Sequence, residues 1–388
     1  MPSKSHAPFL IPSLDGLRAV AILIVFLSHA GLSHIVPGLF GVTVFFFLSG
    51  YLITTLMRME CERTGGVNLR DFYLRRALRI FPPFYLVLAV ITLLAASGAV
   101  EGGFSWAAMA AQAGFSSNFW EINGGLQPAG TEVMWSLAVE EHFYLLFPLL
   151  YLALRRLLPD RKHQFIVLMS LAGLVLAWRM LLVHGWQAID LHNGSSHHPR
   201  TCHGTDTRFD GLLFGCALAV WHNPALDPGG LPRRLLLFVL LPLSLVVLLG
   251  SFVLRDVAFR ETWRYTVQGL ALLPVFIAVI RHPDWLPFRF LNWSWVRQIG
   301  VLSYAFYLVH SLVLALLKTH APISKLWQGV IAFALSLLIA WLMHHLIEKP
   351  CAKLKKRFAA RWVFIIRRPV SNMEADSLHF APLFFCPG

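Results

Sequence analysis

Runs of mostly apolar residues long enough to cross a bilayer recur along this chain. In lipid, every backbone N–H and C=O of a spanning segment must be satisfied within the segment, which leaves helices as the simplest solution. A hydrocarbon core takes about 20 helical residues. Segments of that kind centre on Ala19–His34, Leu39–Leu56, Phe81–Val100, Val133–Leu154, Gln164–Val183, Arg208–Trp221, Leu235–Leu254, Tyr265–Ile280, Gln298–Leu317 and Gln328–Ile347, the Arg208 segment being the shortest. With 57% apolar and only 14% charged residues, a soluble domain is excluded. The prediction is an all-α, polytopic membrane protein of about ten transmembrane helices. One membrane-embedded domain covers residues 10–350 and a basic cytoplasmic tail covers 351–388.

The net charge of +13 is a matter of topology. With the N-terminus inside, 24 of the 33 Lys and Arg residues fall on inner segments and six on outer loops. That bias follows the positive-inside rule, places both termini in the cytoplasm and argues against nucleic acid as a partner. The basic stretch Lys353–Arg368 is expected to lie on anionic lipid. Ala19–Ala30 could serve as a signal-peptide core, but no small-residue cleavage site follows cleanly, and Arg18 and His29 interrupt it; it is retained as the first helix. The five cysteines are scattered, so no disulfide framework is expected. The outer loop 101–132, free of Lys and Arg and rich in Gly, Trp and Phe, suits a segment folded back onto the membrane face. No internal repeat of the kind many transporters show is visible.

Ionisable groups inside hydrocarbon are costly enough to be functional candidates unless they sit at helix ends. Arg18 and His29 are eleven residues apart, which returns them to within roughly 20° of one helix face, about 16 Å apart along the axis. Asp15, one turn before Arg18, can neutralise it. A snorkelling arginine with a packed histidine would fit the same spacing. In "VFFFLSGYLIT", Ser49 and Gly50 allow close approach of a backbone or a slim ligand, or simply helix packing. "DFYLRRALRIFPP" carries Arg75, Arg76 and Arg79 on one inner helical face, suited to phosphates or to topological anchoring. In "TEVMWSLAVEEHFYLLFP", Glu140 shares a face with Ser136 and Tyr144, with Glu141 and His142 beside it. "DTRFDGLLFG" offers Asp206, Arg208 and Asp210, although acids at a helix start also suit the dipole. "GVLSYAFYLVH" aligns Ser303, Tyr307 and His310.

By depth these form two zones. His29, Glu140, Asp206, Asp210 and His310 lie in the outer half, suited to base work on a hydroxyl. Arg18, Arg75, Arg76 and Arg79 lie near the inner surface, suited to an anionic ligand. The loop bearing His192, His197, His198, Cys202 and His203 matches no standard zinc spacing, so no metal is expected.

In this order, "LDGLRAVAILIVFLSH", "VFFFLSGYLIT", "RRALRIFPPFYL", "WSLAVEEHFYLLFP", "DTRFDGLLFG", "LSYAFYLVH" and the closing "IEKP" resemble the acyltransferase-three family of integral membrane O-acyltransferases, from Ser13 to Pro350. The resemblance implies transfer of an acyl group, most commonly acetyl from acetyl-CoA, to a hydroxyl of a carbohydrate or similar acceptor, in a bacterial inner membrane and with no bound cofactor. Carried over by motif, His29 and Glu140 are the expected catalytic residues. Arg18, Ser49, Arg75, Arg76 and Arg79 are expected at the acyl-CoA donor, and Asp206, Arg208, Asp210, Tyr307 and His310 on the acceptor side. Direct deprotonation of the acceptor by His29 and an acyl-imidazole are both compatible. Thr43 stands where the family often has an acid and His142 where glutamine is usual. Some longer members append an outer hydrolase-like domain at the C-terminus; none follows here, so joint handling of the acceptor by such a domain is not expected. Lipopolysaccharide, peptidoglycan, capsule, secreted polysaccharide, a macrolide and a lipid-linked sugar fit the motifs alike. The alternatives are an exporter of a sugar or lipid-linked intermediate and a catalytically lapsed membrane scaffold.

Overall fold

A computed structural model describes residues 11–102, 104–185 and 198–354, and no strand occurs among them. Ten main helices follow in order: α1 (Pro12–Leu27), α2 (Gly38–Thr64), α3 (Leu69–Ala96), α4 (Trp135–Leu157), α5 (Arg161–His184), α6 (Thr205–Val220), α7 (Leu241–Val253), α8 (Trp263–Arg281), α9 (Ser294–His320) and α10 (Lys325–Met343). Single π turns extend α1 over Ser28–Leu32, precede α7 over Leu236–Leu240 and follow α10 over His344–Glu348. Among the described residues nine helical stretches are long and apolar enough to cross a membrane, and α6, at 16 residues, is the tenth of the expected set. The expected basic tail lies outside the described residues from 355 on; up to Leu354 the chain is still helical.

Helix ends follow local chemistry. α3 begins at Leu69, well before the expected apolar run, because Asn68 caps it, its side chain accepting from Asp71 N at 3.1 Å. Arg70 through Arg79 therefore belong to the helix itself. Asp160 caps α5 in the same way, accepting from Lys162 N at 2.9 Å. α2 stops at Gly65, whose φ of +81° only glycine adopts without strain.

Burial sorts the helices into a centre and a lipid-facing rim. Two-thirds of the apolar windows of α2 and α9 are buried, against about a fifth for α5, α7 and α10, whose outward leucines and valines meet lipid. α6 is enclosed between α2, α5, α4 and α8 along nearly its whole length. That explains its length: a helix wrapped by protein need not match the hydrocarbon thickness. Glycines bring the central backbones together, since a Cβ on Gly50 would lie 2.0 Å from Leu212 O and one on Gly215 2.1 Å from Phe47 O. At the α1–α9 contact, a Cβ on Gly300 would lie 1.8 Å from Asp15 O.

Following the charge bias, the end holding the start of α1 and the close of α2 is termed inner. There Arg58, 3% exposed, bonds both carboxylate oxygens of Asp227, and Arg161 reaches Glu62 at 2.7 Å, tying α2 and α5 to the turn after α6. Burial opposes the charge on Asp227, but the Arg58 guanidinium holds its pKa below the ordinary carboxylate value. At the outer end, the 101–132 loop folds inward as two short helices, Trp106–Ala113 and Ser117–Ile122. Asn118 donates to His203 O at 3.2 Å and to Thr205 Oγ1 at 2.9 Å, pinning the loop to the start of α6.

Replacing Gly215 by Leu is expected to lower stability by about 3 kcal/mol, at the upper end of overpacking costs. Gly250→Leu on α7, where nothing lies within 4 Å of the added Cβ, is expected to be neutral. Thermal denaturation of the two variants in detergent checks the contrast.

Candidate functional site

Between α1, α2, α3, α4 and α9 the helices enclose a cavity of about 260 Å³. Arg18, Arg76 and Arg79 line it, together with Asp15, Glu140, Glu141, Ser49 and three tyrosines, Tyr144, Tyr304 and Tyr307. Apolar side chains of α2, among them Phe45, Phe46 and Leu52, complete the wall at helical spacing. Three arginines and three carboxylates thus face one hollow whose other walls are apolar side chains, serines and tyrosines.

Glu140 is held in place by its neighbours. Tyr144 Oη donates to Glu140 Oε2 at 2.7 Å and Ser49 Oγ to Glu140 Oε1 at 3.2 Å, joining α2 to α4 across the cavity. Tyr144 sits one turn after Glu140 on α4, the (i, i+4) spacing that makes such a bond. The Arg76 guanidinium stacks 5.1 Å above the Tyr144 ring. Arg18 Nη1 pairs with Asp15 Oδ1 at 2.9 Å, as their spacing on α1 predicts.

The expected zones regroup here. Glu140 does not share the outer zone with the histidines; it lines the same cavity as the arginines. The reason is that α4 starts deep: Trp135, its first residue, packs edge-on against Phe46 at 6.3 Å, and Phe46 is eight residues, about 12 Å, into α2. The infolded outer loop carries the start of α4 down with it. Nor is the Arg18–His29 stripe an open path, because Ile22 and Val25, which occupy the positions between them, are each only 1% exposed and packed in the core. The cavity ends outward at Val42, Ser136 and Tyr307, where Ser136 Oγ and Tyr307 Oη hydrogen-bond at 2.7 Å.

One turn beyond that seal, His29 and His310 meet. His29 Nδ1 lies 3.0 Å from His310 Nε2, joining the π turn after α1 to α9. His29 is an exposed residue, whereas His310 is fully buried.

The remaining candidates stand away from the cavity. Asp210 is bonded to Arg179 Nη2 at 2.6 Å and to Thr266 Oγ1 at 2.7 Å, all deeply buried, joining α5, α6 and α8. Asp206 pairs with Arg200 and accepts from Trp178 Nε1 at 2.6 Å. Arg208, 1% exposed, lies 3.7 Å over the Tyr265 ring and donates to Thr43 Oγ1 at 3.2 Å. Arg75 pairs with Glu60 at 2.9 Å outside the cavity. Thr43 and His142, the two departures from the family pattern, both have polar partners, His142 Nδ1 lying 2.8 Å from Thr205 Oγ1. Of the loop histidines, His192 and His197 lie outside the described residues. Among the described residues no three metal-ligating side chains converge. His203 instead stacks 4.3 Å from Trp135 and pairs with Glu121 at 3.0 Å; burial would lower its pKa, but Cys202 and Glu121 raise it above the ordinary imidazole value.

Sequence reading missed Tyr304 and the cavity position of Glu141, and it missed Arg179 altogether. The last had a signal, a lone arginine inside "LVLAWRMLLVH" that topology leaves without water. Glu141 had none, since only the packing of five helices around one hollow brings both glutamates of α4 to it.

The acyltransferase-domain family matches residues 11–345. The peptidoglycan O-acetyltransferase OatA of Listeria monocytogenes is 30% identical over 359 residues, covering 88% of this chain and 56% of that protein. The O-acetyltransferase OatA of Staphylococcus aureus is 30% identical over 371 residues, covering 90% of this chain and 58% of its own length. The chain thus spans rather more than half the length of these relatives. No solved structure matches it significantly.

Asp210→Ala leaves a buried guanidinium unpaired and is expected to cost about 3–5 kcal/mol, whereas Arg179→Met combined with Asp210→Leu recovers most of that loss. The midpoint of thermal denaturation and the yield of monodisperse protein check the pair.

Proposed function

This chain belongs to the acyltransferase-domain family, and on that premise we propose that it is a membrane O-acetyltransferase. It takes an acetyl group from acetyl-CoA on the cytoplasmic side of a bacterial inner membrane and transfers it to a hydroxyl of a cell-wall carbohydrate on the far side. The named relatives are O-acetyltransferases, that of Listeria monocytogenes a peptidoglycan O-acetyltransferase, and this supports the reading of acceptor class.

The observation that carries the reading is the order of chemistry from the inner end outward: a cavity lined by Arg18, Arg76 and Arg79, its close at the Ser136–Tyr307 hydrogen bond, then an exposed histidine in the turn after α1. Arg76, Arg79 and Arg18 supply charge for the phosphates of the donor, with Arg75 further out at the inner surface. A cavity of about 260 Å³ is small for a whole coenzyme and suits the acyl-pantetheine arm, with the nucleotide left at the mouth. Glu140, fixed by Tyr144 and Ser49, keeps lone pairs free to accept an amide N–H of that arm as the thioester passes. His29 then acts on the acceptor hydroxyl. Because Tyr307 and Ser136 close the cavity below His29, delivery of the acyl group requires that their hydrogen bond open.

Proteoliposomes given labelled acetyl-CoA and a peptidoglycan fragment are expected to yield acetylated glycan, with transfer lost in His29→Ala at unchanged protein level. Arg76→Ala is expected to raise KM for acetyl-CoA about 10- to 100-fold, the worth of a charged hydrogen bond to phosphate. Absence of any acetyl transfer by the intact protein, or CoA-independent uptake of a sugar by the vesicles, would overturn the reading in favour of a transporter.

A further inference from the structure

The hydrogen bonds around His29 and His310 determine where both protons sit. His310 Nδ1 is 2.8 Å from the backbone carbonyl of Tyr307, which can only accept, so His310 Nδ1 carries a hydrogen. The His310 ring is fully buried, with Phe26 and Phe306 rings centred 6.3 and 5.9 Å away, and among the described residues no carboxylate is bonded to either imidazole. A second proton would create an unpaired charge in an apolar shell, so His310 is neutral and its Nε2 is an acceptor. His29 Nδ1 lies 3.0 Å from that lone pair and must therefore donate to it. The rings are inclined by only 26° with centroids 5.2 Å apart, a spacing that puts the two nitrogens nearly on the line between ring centres.

We infer that His310 is a positioning residue that holds His29 in the tautomer with its proton on Nδ1, leaving the Nε2 lone pair free. In water a histidine imidazole prefers the opposite tautomer, with the proton on Nε2, and in that form Nε2 could accept nothing. The bond to His310 inverts the preference. Local backbone makes the meeting possible: the π turn Ser28–Leu32, with Gly31 at φ +107°, shifts the helical phase just where His29 must face α9. Tyr307 contributes twice, its hydroxyl closing the cavity below and its carbonyl orienting His310 above.

The inference deepens the acetyltransferase reading and rests on it for its chemical consequence. The acceptor hydroxyl oxygen bonds to the acyl carbonyl carbon while its proton passes to His29 Nε2. The acyl carbon–sulfur bond then breaks, and the departing coenzyme thiolate recovers that proton as a thiol. During the step His29 carries a positive charge, and its Nδ1–H bond to His310 becomes charge-assisted and stronger.

The test combines a tautomer measurement with kinetics. In nanodiscs, protein labelled with ¹⁵N at histidine is compared with His29→Ala to assign the His29 signals. The expected spectrum has Nδ1 protonated and Nε2 bare, moving towards protonated Nε2 in His310→Phe. The same variant is expected to lose about 10²-fold or more in kcat for acetyl transfer, with KM for acetyl-CoA unchanged. His310→Gln, whose amide can place an acceptor where Nε2 was, is expected to restore the Nδ1 proton and much of the rate; it also serves if the Phe variant does not fold. A wild-type His29 protonated on Nε2, or a Gln variant that binds acetyl-CoA normally yet restores neither tautomer nor rate, overturns the inference. The spectrum needs no turnover, so intact protein that shows the expected tautomer but transfers no acetyl group would defeat the acetyltransferase reading alone.

Discussion

A guanidinium sunk among apolar helices must be matched by its immediate surroundings, and this requirement organises the molecule. Arg179 finds Asp210 and Thr266 and so locks α5, α6 and α8 together. Arg58 finds Asp227 and closes the inner end around α2. Arg18 finds Asp15 within its own helix. With lipid as solvent there is little hydrophobic drive between helices, so satisfied polar bonds and close backbone packing carry the specificity of assembly. The glycine contacts of α2 with α6 and of α1 with α9 supply the second of these.

Against that background, the cations left without a bonded carboxylate stand out. Neither Arg76 nor Arg79 is bonded to one among the described residues, although both line the cavity, and Arg208 relies on aromatic faces and a single threonine hydroxyl. Charge held open towards a hollow can meet an anionic ligand, whereas charge enclosed by rings serves the packing of α6. The same residue type thus does two jobs, separated by whether a cavity adjoins it.

Some of this was legible from spacing. Asp15 and Arg18, three apart on a helix, could only meet; Ser303 and Tyr307 do fall on one face and line one cavity. Pairing across helices was not legible. Asp206 and Asp210 looked like partners of an outer site, yet their ions come from Arg200 and Arg179, the latter on another helix. Depth was misjudged where a loop intervenes: counting residues from the end of the apolar run places Glu140 in the outer half with the histidines, but the infolded loop 101–132 carries α4 inward to the level of Ser49.

The sequence by itself determined that the chain is a helical membrane protein, which segments can span, and which polar groups are too costly in lipid to be incidental, because these depend on length, hydropathy and charge read locally. Only the tertiary structure decided which of those groups neutralise one another, which face a cavity, and that His29 meets His310 beyond its seal. Those outcomes depend on crossing angles, on the close approach that glycines permit and on one π turn, and none of these is written in the spacing of a single helix.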